Sequence, residues 1–519
     1  MISDTLPMSH IFLYGPVGVG KSTVGKILAR NLNLPFVDSD HVMETNAGMT
    51  IFEMMAQQGE QASRDLETAA LKQIISNRES VIALGGGALL REENRALVER
   101  NGTVIFLMAE LETLFGRLRS DANQRPLLAG DLQEQLTGLL AKRKEHYDSF
   151  PLRFDANQVP EEVALQIQVV LGRFHLSAMG DYDVIVESGG IEHLGDLLRS
   201  RNLQNPLLVT DENIAKLQAE YVTASLSGAG VDAKIITIPS GEAYKNLDTI
   251  SELWKSFLKN GLDRKSTVIA LGGGVIGDLA GFAASTYMRG IHWVGVPTTL
   301  LSMVDASLGG KTGFDLPEGK NLIGSFYPPK LVLADPQLLQ TLPERELISG
   351  MAEVVKHGII SDPELFELCG RGLDWVKANL DAVVKRAMAV KIQIIEADPY
   401  ERGFRAALNL GHTVGHAVEL VSRFELRHGE AIAIGMVIET KYAERIGLAK
   451  TGLAQDIARM LSKLGLPTSI PKGMPGDEII RAMRVDKKKN ASAIRFALPK
   501  EIGQVELVEV TDLEMVLDS

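Results

Sequence analysis

The run HIFLY from His10 to Tyr14 reads as a strand, the run TVGKILARNL from Thr23 reads as a helix, and Gly15-Pro16-Val17-Gly18-Val19-Gly20-Lys21-Ser22 joins them. A glycine-rich loop that ends in Lys-Ser between a strand and a helix is a phosphate-binding loop. Its glycines let successive backbone N–H groups wrap phosphate oxygens, and the positive end of the helix dipole adds to the attraction. Lys21 can then reach the outer phosphates while the Ser22 hydroxyl holds Mg2+. Such a loop follows a buried strand of a parallel sheet, so the first part of the chain is committed to an α/β fold. Gly15, Pro16, Val17, Gly18, Val19, Gly20, Lys21, Ser22 and Thr23 are the expected nucleotide contacts.

One such fold does not use up the chain, whose 519 residues suggest roughly three or four folding units. From His10 to about Asn157, β-rich runs (HIFLYG, SVIALGGG, GTVIFLMA) alternate with helix-like stretches, predicting a first domain over residues 1–172. Small and polar residues in LSAMGDYD mark a linker at 173–182. Alternation resumes in NPLLVTDENI, DAKIITIPSG, STVIALGGGV and HWVGVPTT, predicting a second α/β domain over 183–335. After Pro336, stretches such as LDAVVKRAMAVKIQIIEAD and GEAIAIGMVIETKYAERIG carry helical periodicity and few strand signals. Residues 336–519 are therefore expected to be mainly α-helical.

Hydrophobic residues at 45% and charged residues at 23% are values of a globular protein, which argues against disordered and fibrous classes. A net charge of −12 argues against a nucleic-acid partner, so local basic clusters should serve small anions. Cys369 is the single cysteine, which leaves no disulfide framework and no thiolate metal site and fits a reducing cytosol. The start, MISDTLPMSH, shows no leader pattern, and apolar runs such as VIALGGGALL are short and broken by glycine. The expectation is a cytoplasmic enzyme with no membrane partner.

A phosphate loop specifies a nucleotide and leaves the acceptor open. Downstream stand Asp38 and Asp40 in FVDSD, Gly59-Glu60 with Arg64, Gly85-Gly86-Gly87, Gln124-Arg125-Pro126 and Arg143. In this order they resemble the shikimate kinase pattern over most of residues 10–155. The resemblance implies that Asp38 joins Ser22 beside the Mg2+ of bound ATP and that Arg125 closes over ATP. It implies a shikimate pocket of Asp40, Arg64, Gly86 and Arg143, with Lys21 and Asp40 catalytic. Arginines can clamp a substrate carboxylate bidentately, and an aspartate can orient an attacking hydroxyl. The chain departs from the family at Ser63, where an aromatic residue commonly precedes the pocket arginine, and in KEHYDSFPLRF after Arg143.

Farther on, Leu271-Gly272-Gly273-Gly274-Val275-Ile276-Gly277-Asp278 follows the strand-like STVIA and opens a helix, as a pyrophosphate site or a plain tight turn would. Glu353 and Lys356 are spaced i,i+3 and His412 and His416 i,i+4, so each pair shares a helix face. With His428, a Glu/His/His set becomes available that suits a catalytic Zn2+ with a position open for substrate. His416 can shuttle protons near neutral pH or simply pack a helix, and the DKKK run at 486–489 can bind substrate or face solvent.

The stretches SGEAYKNL, ALGGGVIGDLAGFAASTYMRG, VPTTLLSMVDASLGGKTGFDLPEGKNLIGSF, GMAEVVKHG and RAALNLGHTVGHAVE resemble 3-dehydroquinate synthase over roughly residues 183–510. The resemblance implies an NAD-binding α/β domain, a helical metal domain, and Zn2+ or Co2+ on Glu353, His412 and His428. It implies NAD at Asp211, Asn213, Glu242, Lys245, Gly274, Val275, Asp278, Thr298, Thr299, Lys311 and Lys320. The implied substrate is 3-deoxy-D-arabino-heptulosonate 7-phosphate, held by Arg289, Asp305, Lys311, Asn321, Lys356, Lys391, Arg405, Asn409, His416 and Lys487 or its neighbour Lys488. The resemblance also implies that Lys356, His416, Arg405 and Asn409 carry the catalytic roles. The implied reaction loses phosphate, forms 3-dehydroquinate and restores NAD in each turnover. The family also implies a homodimer through this half, with Arg289 reaching the site across the interface.

Two other readings stay open on sequence. The second half could be a polyol dehydrogenase releasing NADH, against which the lysines of GGKTG and GKNLIG count, since a neutral polyol needs no anion clamp. Alternatively, one half could bind metabolites without catalysis, against which the intact Lys21, Ser22, Glu353, His412 and His428 count.

Overall fold

A computed structural model describes residues 9–120, 132–486 and 493–518. The chain folds as two compact units, residues 1–171 and 172–519. The first is built on five parallel strands, β1 (His10–Tyr14), β2 (Phe36–Asp38), β3 (Val81–Ala83), β4 (Gly102–Met108) and β5 (Arg153–Asp155), in the order β2-β3-β1-β4-β5. Central β1 is buried along its whole length, which is why HIFLY is continuously apolar instead of alternating. Ile11 and Leu13 pack on one face against Leu28, Val163 and Ile167, while Phe12 and Tyr14 pack on the other against Leu71, Val98 and Phe150. The phosphate loop joins β1 to the helix Lys21–Asn31. A Cβ on Gly15 would lie 2.2 Å from the carbonyl oxygen of Leu107 in β4, so only glycine can leave the sheet at that point.

The second unit carries a seven-stranded sheet of β6 (Arg173–Leu176), β7 (Tyr182–Val186), β8 (Gln204–Asp211), β9 (Lys234–Ile238), β10 (Ser266–Gly272), β11 (His292–Pro297) and, later in the chain, β14 (Leu331–Ala334). Between the last two, β12 (Lys311–Leu316) and β13 (Gly319–Phe326) form an antiparallel hairpin. The order is β6-β7-β14-β11-β10-β8-β9, parallel except for the β6–β7 pairing. The expected linker at 173–182 therefore differs in part: Arg173–Leu176 is an edge strand, with Phe174 and Leu176 buried at alternate positions. The small and polar residues that suggested a linker begin only at Ser177.

Beyond Pro336 the unit is mainly helical, with Glu344–Ser361, Leu380–Ala397, His412–Val421 and His428–Arg445 at its centre. A hairpin of β15 (Ile494–Glu501) and β16 (Gln504–Val510) closes the chain's last core, placing Phe496 and Leu498 with Val414, Val418 and Ile434. The helices His412–Val421 and His428–Arg445 touch backbone to backbone: a Cβ on Gly435 would lie 1.9 Å from the oxygen of Gly411 and 2.8 Å from the nitrogen of Gly415. Among the described residues no helix is long and apolar enough to cross a membrane.

Candidate active sites

In the first unit a cavity of about 750 Å³ is lined by the phosphate loop, Asp38, Asp40, Gly86, Arg117 and Ala156. Lys21 Nζ donates to the carbonyl oxygens of Gly15 and Pro16, both at 2.9 Å, so its ammonium is folded back over the loop. Ser22 Oγ donates to Asp38 Oδ2 at 2.8 Å, and Asp38 Oδ1 accepts the N–H of Asp40 at 3.1 Å, capping the helix Ser39–Ala47. A hydroxyl and a carboxylate thus stand side by side at the loop, an oxygen set of the kind Mg2+ takes.

Residues 85–87 bring the remaining expected groups together. Asp40 Oδ1 lies 2.6 Å from where a Cβ of Gly85 would be, and Arg64 Nη2 lies 2.8 Å from that of Gly87. Gly86 O accepts from Arg143 Nη1 at 2.8 Å, from Tyr147 OH at 3.1 Å and from Tyr14 OH at 3.4 Å. Glu67 holds Arg64 at 2.9 Å, and burial pushes its carboxyl up against the pull of that guanidinium. Two arginines far apart in sequence so converge on one glycine segment beside Asp40. Arg125 lies outside the described residues. Sequence reading missed Arg117, whose guanidinium ties Val19 O at 2.9 Å to Ala156 O at 2.8 Å across the nucleotide end of the cavity. In LETLFGRLRS it looks like any helix-surface arginine. It also passed over Glu67, although the spacing of three from Arg64 was a usable signal.

In the second unit Glu353 is fully buried and neither carboxylate oxygen meets a hydrogen-bond donor in good geometry among the described residues. Lys356 Nζ pairs with its Oε2, and the Nε2 atoms of His412 and His428 stand 3.5 and 3.7 Å from its Oε1. Each imidazole has its other nitrogen occupied, His412 Nδ1 by Leu410 O at 3.1 Å and His428 Nδ1 by Glu419 Oε2 at 3.2 Å. A ligand histidine is oriented in this way, one nitrogen fixed by an acceptor and the other presented. The donor atoms of His412, His416 and His428 lie within 4.8 Å of one another. With Glu353 Oε1 within 3.7 Å of both presented imidazole nitrogens, Glu353, His412 and His428 offer a carboxylate and two imidazoles, a donor set of the kind a divalent metal takes. Burial would raise the Glu353 carboxyl, but the Lys356 ammonium and the two histidines hold it well below the ordinary range. Burial and Lys356 keep His412 well below the usual imidazole value. His428, lowered by burial but raised more by Glu353 and Glu419, reaches about 9 and must give up a proton before it can act as a ligand.

Residues 17–171 match the family described as "Shikimate kinase", residues 235–349 that described as "3-dehydroquinate synthase N-terminal", and residues 350–489 that described as "3-dehydroquinate synthase C-terminal". The 3-dehydroquinate synthase of Symbiobacterium thermophilum is 46% identical over 331 residues, 62% of this chain and 92% of that protein. The chain belongs to the 3-dehydroquinate synthase family and carries a shikimate kinase domain ahead of it. Solved relatives of the synthase half are 2-deoxy-scyllo-inosose synthase with carbaglucose-6-phosphate, NAD+ and Co2+ (26% identity, TM-score 0.62, 67% of this chain and 98% of that one) and ValA, a 2-epi-5-epi-valiolone synthase of Streptomyces hygroscopicus with NAD+ and Zn2+ (30%, TM-score 0.60, 64% and 94%).

Nine of the eleven expected NAD residues follow the carboxyl ends of β8, β9, β10 and β11, the crevice side of an open α/β sheet, while Lys311 and Lys320 lie on the β12–β13 hairpin. Gly274, Val275 and Asp278 lie in the first turns of the helix Gly274–Thr286, and Thr298 and Thr299 follow β11. Asp211 caps the helix Glu212–Gly228 by accepting from Asn213 N at 2.9 Å, and Asn213 Nδ2 donates to Ser240 Oγ at 3.0 Å. Lys245 Nζ reaches both Asp278 Oδ2 and Asn321 Oδ1 at 2.6 Å, linking this crevice to the β12–β13 hairpin. Burial pushes Asp278 up to about 6 in spite of Lys245. Lys320, on the hairpin, stands 3.7 Å from Glu242 and 3.6 Å from Glu419.

Asp305 sits on a π-helical turn, Ser302–Ala306, a form frequent at functional sites. Lys391 Nζ donates to its backbone oxygen at 2.8 Å and to its carboxylate. Lys311 and Asn409 both contact the Glu401 carboxylate, at 3.2 and 3.1 Å. Buried Arg405 is held by Pro399 O, with its backbone N–H on Asp398 Oδ2 at 3.0 Å. Arg289 is exposed in a left-handed conformation (φ 69) and makes no bond to these groups. Lys487 and Lys488 lie outside the described residues. The sequence reading missed Glu419, which shares a face with His412 and His416 at a spacing of seven and three. It also missed His357, fully buried with donor atoms within 4.8 Å of Asp305 and Glu353, and pushed down to about 3 by burial and Lys356.

Proposed function

We propose that the chain is a bifunctional enzyme of chorismate biosynthesis. Its first unit phosphorylates shikimate with ATP, and its second converts 3-deoxy-D-arabino-heptulosonate 7-phosphate to 3-dehydroquinate and phosphate with NAD and a divalent metal, Zn2+ or Co2+. The observation that carries the reading is the buried Glu353 carboxylate facing the presented nitrogens of His412 and His428, with Lys356 paired to Glu353 and Lys391 paired to Asp305.

In the kinase, Lys21 and the loop N–H groups hold the nucleotide phosphates, while Ser22 and Asp38 hold the Mg2+ that arrives with ATP. Arg64 and Arg143 clamp the shikimate carboxylate against Gly86, and Asp40 accepts from the attacking hydroxyl. In the synthase, bound metal supplies a Lewis acid and bound NAD a temporary hydride acceptor. Glu353, His412 and His428 would hold the metal. Lys311, Lys356, Lys391 and Arg405 supply the positive charge that a substrate with both phosphate and carboxylate requires. Asn409 and Asn321 orient its hydroxyls, and His416, its ring 5.1 Å from that of His412, moves a proton at the departing phosphate.

A homodimer through the synthase half accounts for two surface features. Strand β13 leaves Leu322, Ile323 and Phe326 exposed, with Met288 exposed beside Arg289. A second copy covering this edge would bring Arg289 to the neighbouring site. The cytoplasm suits a chain whose one cysteine, Cys369, is buried and reduced.

A paired assay tests the reading: phosphate release from the heptulosonate phosphate with catalytic NAD and Zn2+, and shikimate-dependent ADP formation. Lys21→Ala should abolish only the second and His412→Ala only the first. Stoichiometric NADH from a polyol, or ADP formed with another hydroxy acid but not shikimate, would reassign the corresponding half.

A further inference from the structure

The helix His412–Val421 begins at a proposed metal ligand, and its N-cap is Gly411, in a left-handed conformation at φ 78 with no side chain to offer. The first turn of any helix leaves N–H groups in need of acceptors and carries the positive end of the dipole. Here that end lies beside the place where a divalent cation would bind, so an uncompensated helix start would repel it. A local cap is sterically barred, because a Cβ on Gly411 would lie 2.6 Å from Met436 Cγ and 2.8 Å from Ile432 O. The acceptor must come from elsewhere.

Glu439, fully buried on the helix His428–Arg445, provides it: Oε2 accepts the Gly411 N–H at 2.7 Å and Oε1 accepts the Val414 N–H at 3.1 Å. We propose that Glu439 is a positioning residue of the metal centre, a cap delivered from the neighbouring helix that fixes His412 and offsets the helix charge facing the cation. The inference rests on the reading of Glu353, His412 and His428 as ligands. One helix then carries His428 at its first position and, about three turns on, the carboxylate that sets the other histidine. Both imidazoles are referred to a single rigid frame.

Glu439→Gln preserves size and one acceptor but removes the charge. In the full chain, chelator competition should show Zn2+ affinity about 10–100-fold weaker, and the Co2+ visible spectrum should change, while NAD affinity and shikimate-dependent ADP formation hold. The rise in melting temperature on adding Zn2+ should shrink, whereas a merely structural role would lower metal-free and metal-loaded melting alike. Glu439→Asp, which keeps the charge on a shorter stem, should fall between, and it carries the same readouts if Glu439→Gln does not fold. Unchanged Zn2+ affinity with an unchanged Co2+ spectrum in the folded variant overturns the proposal. A parent chain that binds no stoichiometric Zn2+, or a His412→Ala variant that binds it as the parent does, overturns the ligand reading instead.

Discussion

Replacing Gly435 by alanine should damage the synthase by forcing apart the two helices that carry His412 and His428. The new Cβ would stand 1.9 Å from Gly411 O, 2.8 Å from Gly415 N and 2.9 Å from Gly411 C, all backbone atoms that cannot swing aside. Ordinary contact begins near 3.4 Å, so the helices His412–Val421 and His428–Arg445 would have to part by about 1.5 Å. Overpacking of this kind costs roughly 1–3 kcal/mol. The displacement falls on Gly411, the residue before His412, and so moves that imidazole relative to Glu353 and His428. A misplacement of about 1 Å at a catalytic group can cost about 100-fold in rate, and loss of ligand orientation about 10–100-fold in metal affinity. Steady-state phosphate release, Zn2+ competition and thermal melting on one preparation separate the effects, with shikimate-dependent ADP formation as an internal control. A lowered melting temperature with synthase kcat/KM and Zn2+ affinity intact would refute the reasoning, since the helices would then be relaxing away from the histidines.

Glu419→Gln should leave His428 without its anionic acceptor and weaken Zn2+ binding by about 10–100-fold, read by chelator competition. The His175 imidazole is raised chiefly by its hydrogen bond to Asp183, against the opposing effect of burial. Its contribution to stability is fully present below the ordinary imidazole value of about 6.5 and is lost as pH rises through the higher folded-state value. His175→Gln should therefore flatten the fall of melting temperature just above that value, and an unchanged profile would rule out the linkage. The proposed pairing through β13 requires the parent chain to sediment as a dimer and Phe326→Asp as a monomer with depressed synthase turnover and unchanged ADP formation; a monomeric parent would overturn it.

Much of both candidate sites was legible because the residues that compose them stand at short, local spacings. The phosphate loop is contiguous, Glu353 and Lys356 lie one turn apart, and His412 and His416 likewise, so each helix announces its own face. Glu67 and Glu419 stood at helical spacings that could have been read, but the rest of what escaped comes from contacts that no spacing encodes. Glu439 meets Gly411 across two helices that glycines allow to touch, and Arg117 meets Val19 and Ala156 from three separate segments. The hairpin β15–β16 was missed because RFALPKE and QVELVEV follow a long helical stretch and carry prolyl and acidic interruptions, while only their packing on Val414 and Ile434 makes them strands. Strand β6 was missed because its four residues alternate too briefly to stand out from the polar turn that follows.

That short strand bears on where the two activities can be separated by truncation. β6 covers the outer edge of β7, with Val186 N donating to Gly172 O at 2.7 Å just ahead of it. A gene fragment for the synthase alone that opened at residue 182, the boundary the composition suggested, would leave β7 with a bare row of N–H and C=O groups and invite edge-to-edge aggregation. A fragment opening before Gly172 keeps that edge sealed, so the seam for cutting lies at the end of the preceding helix, Pro160–Leu171, and the residues after it belong to the synthase as its selvedge.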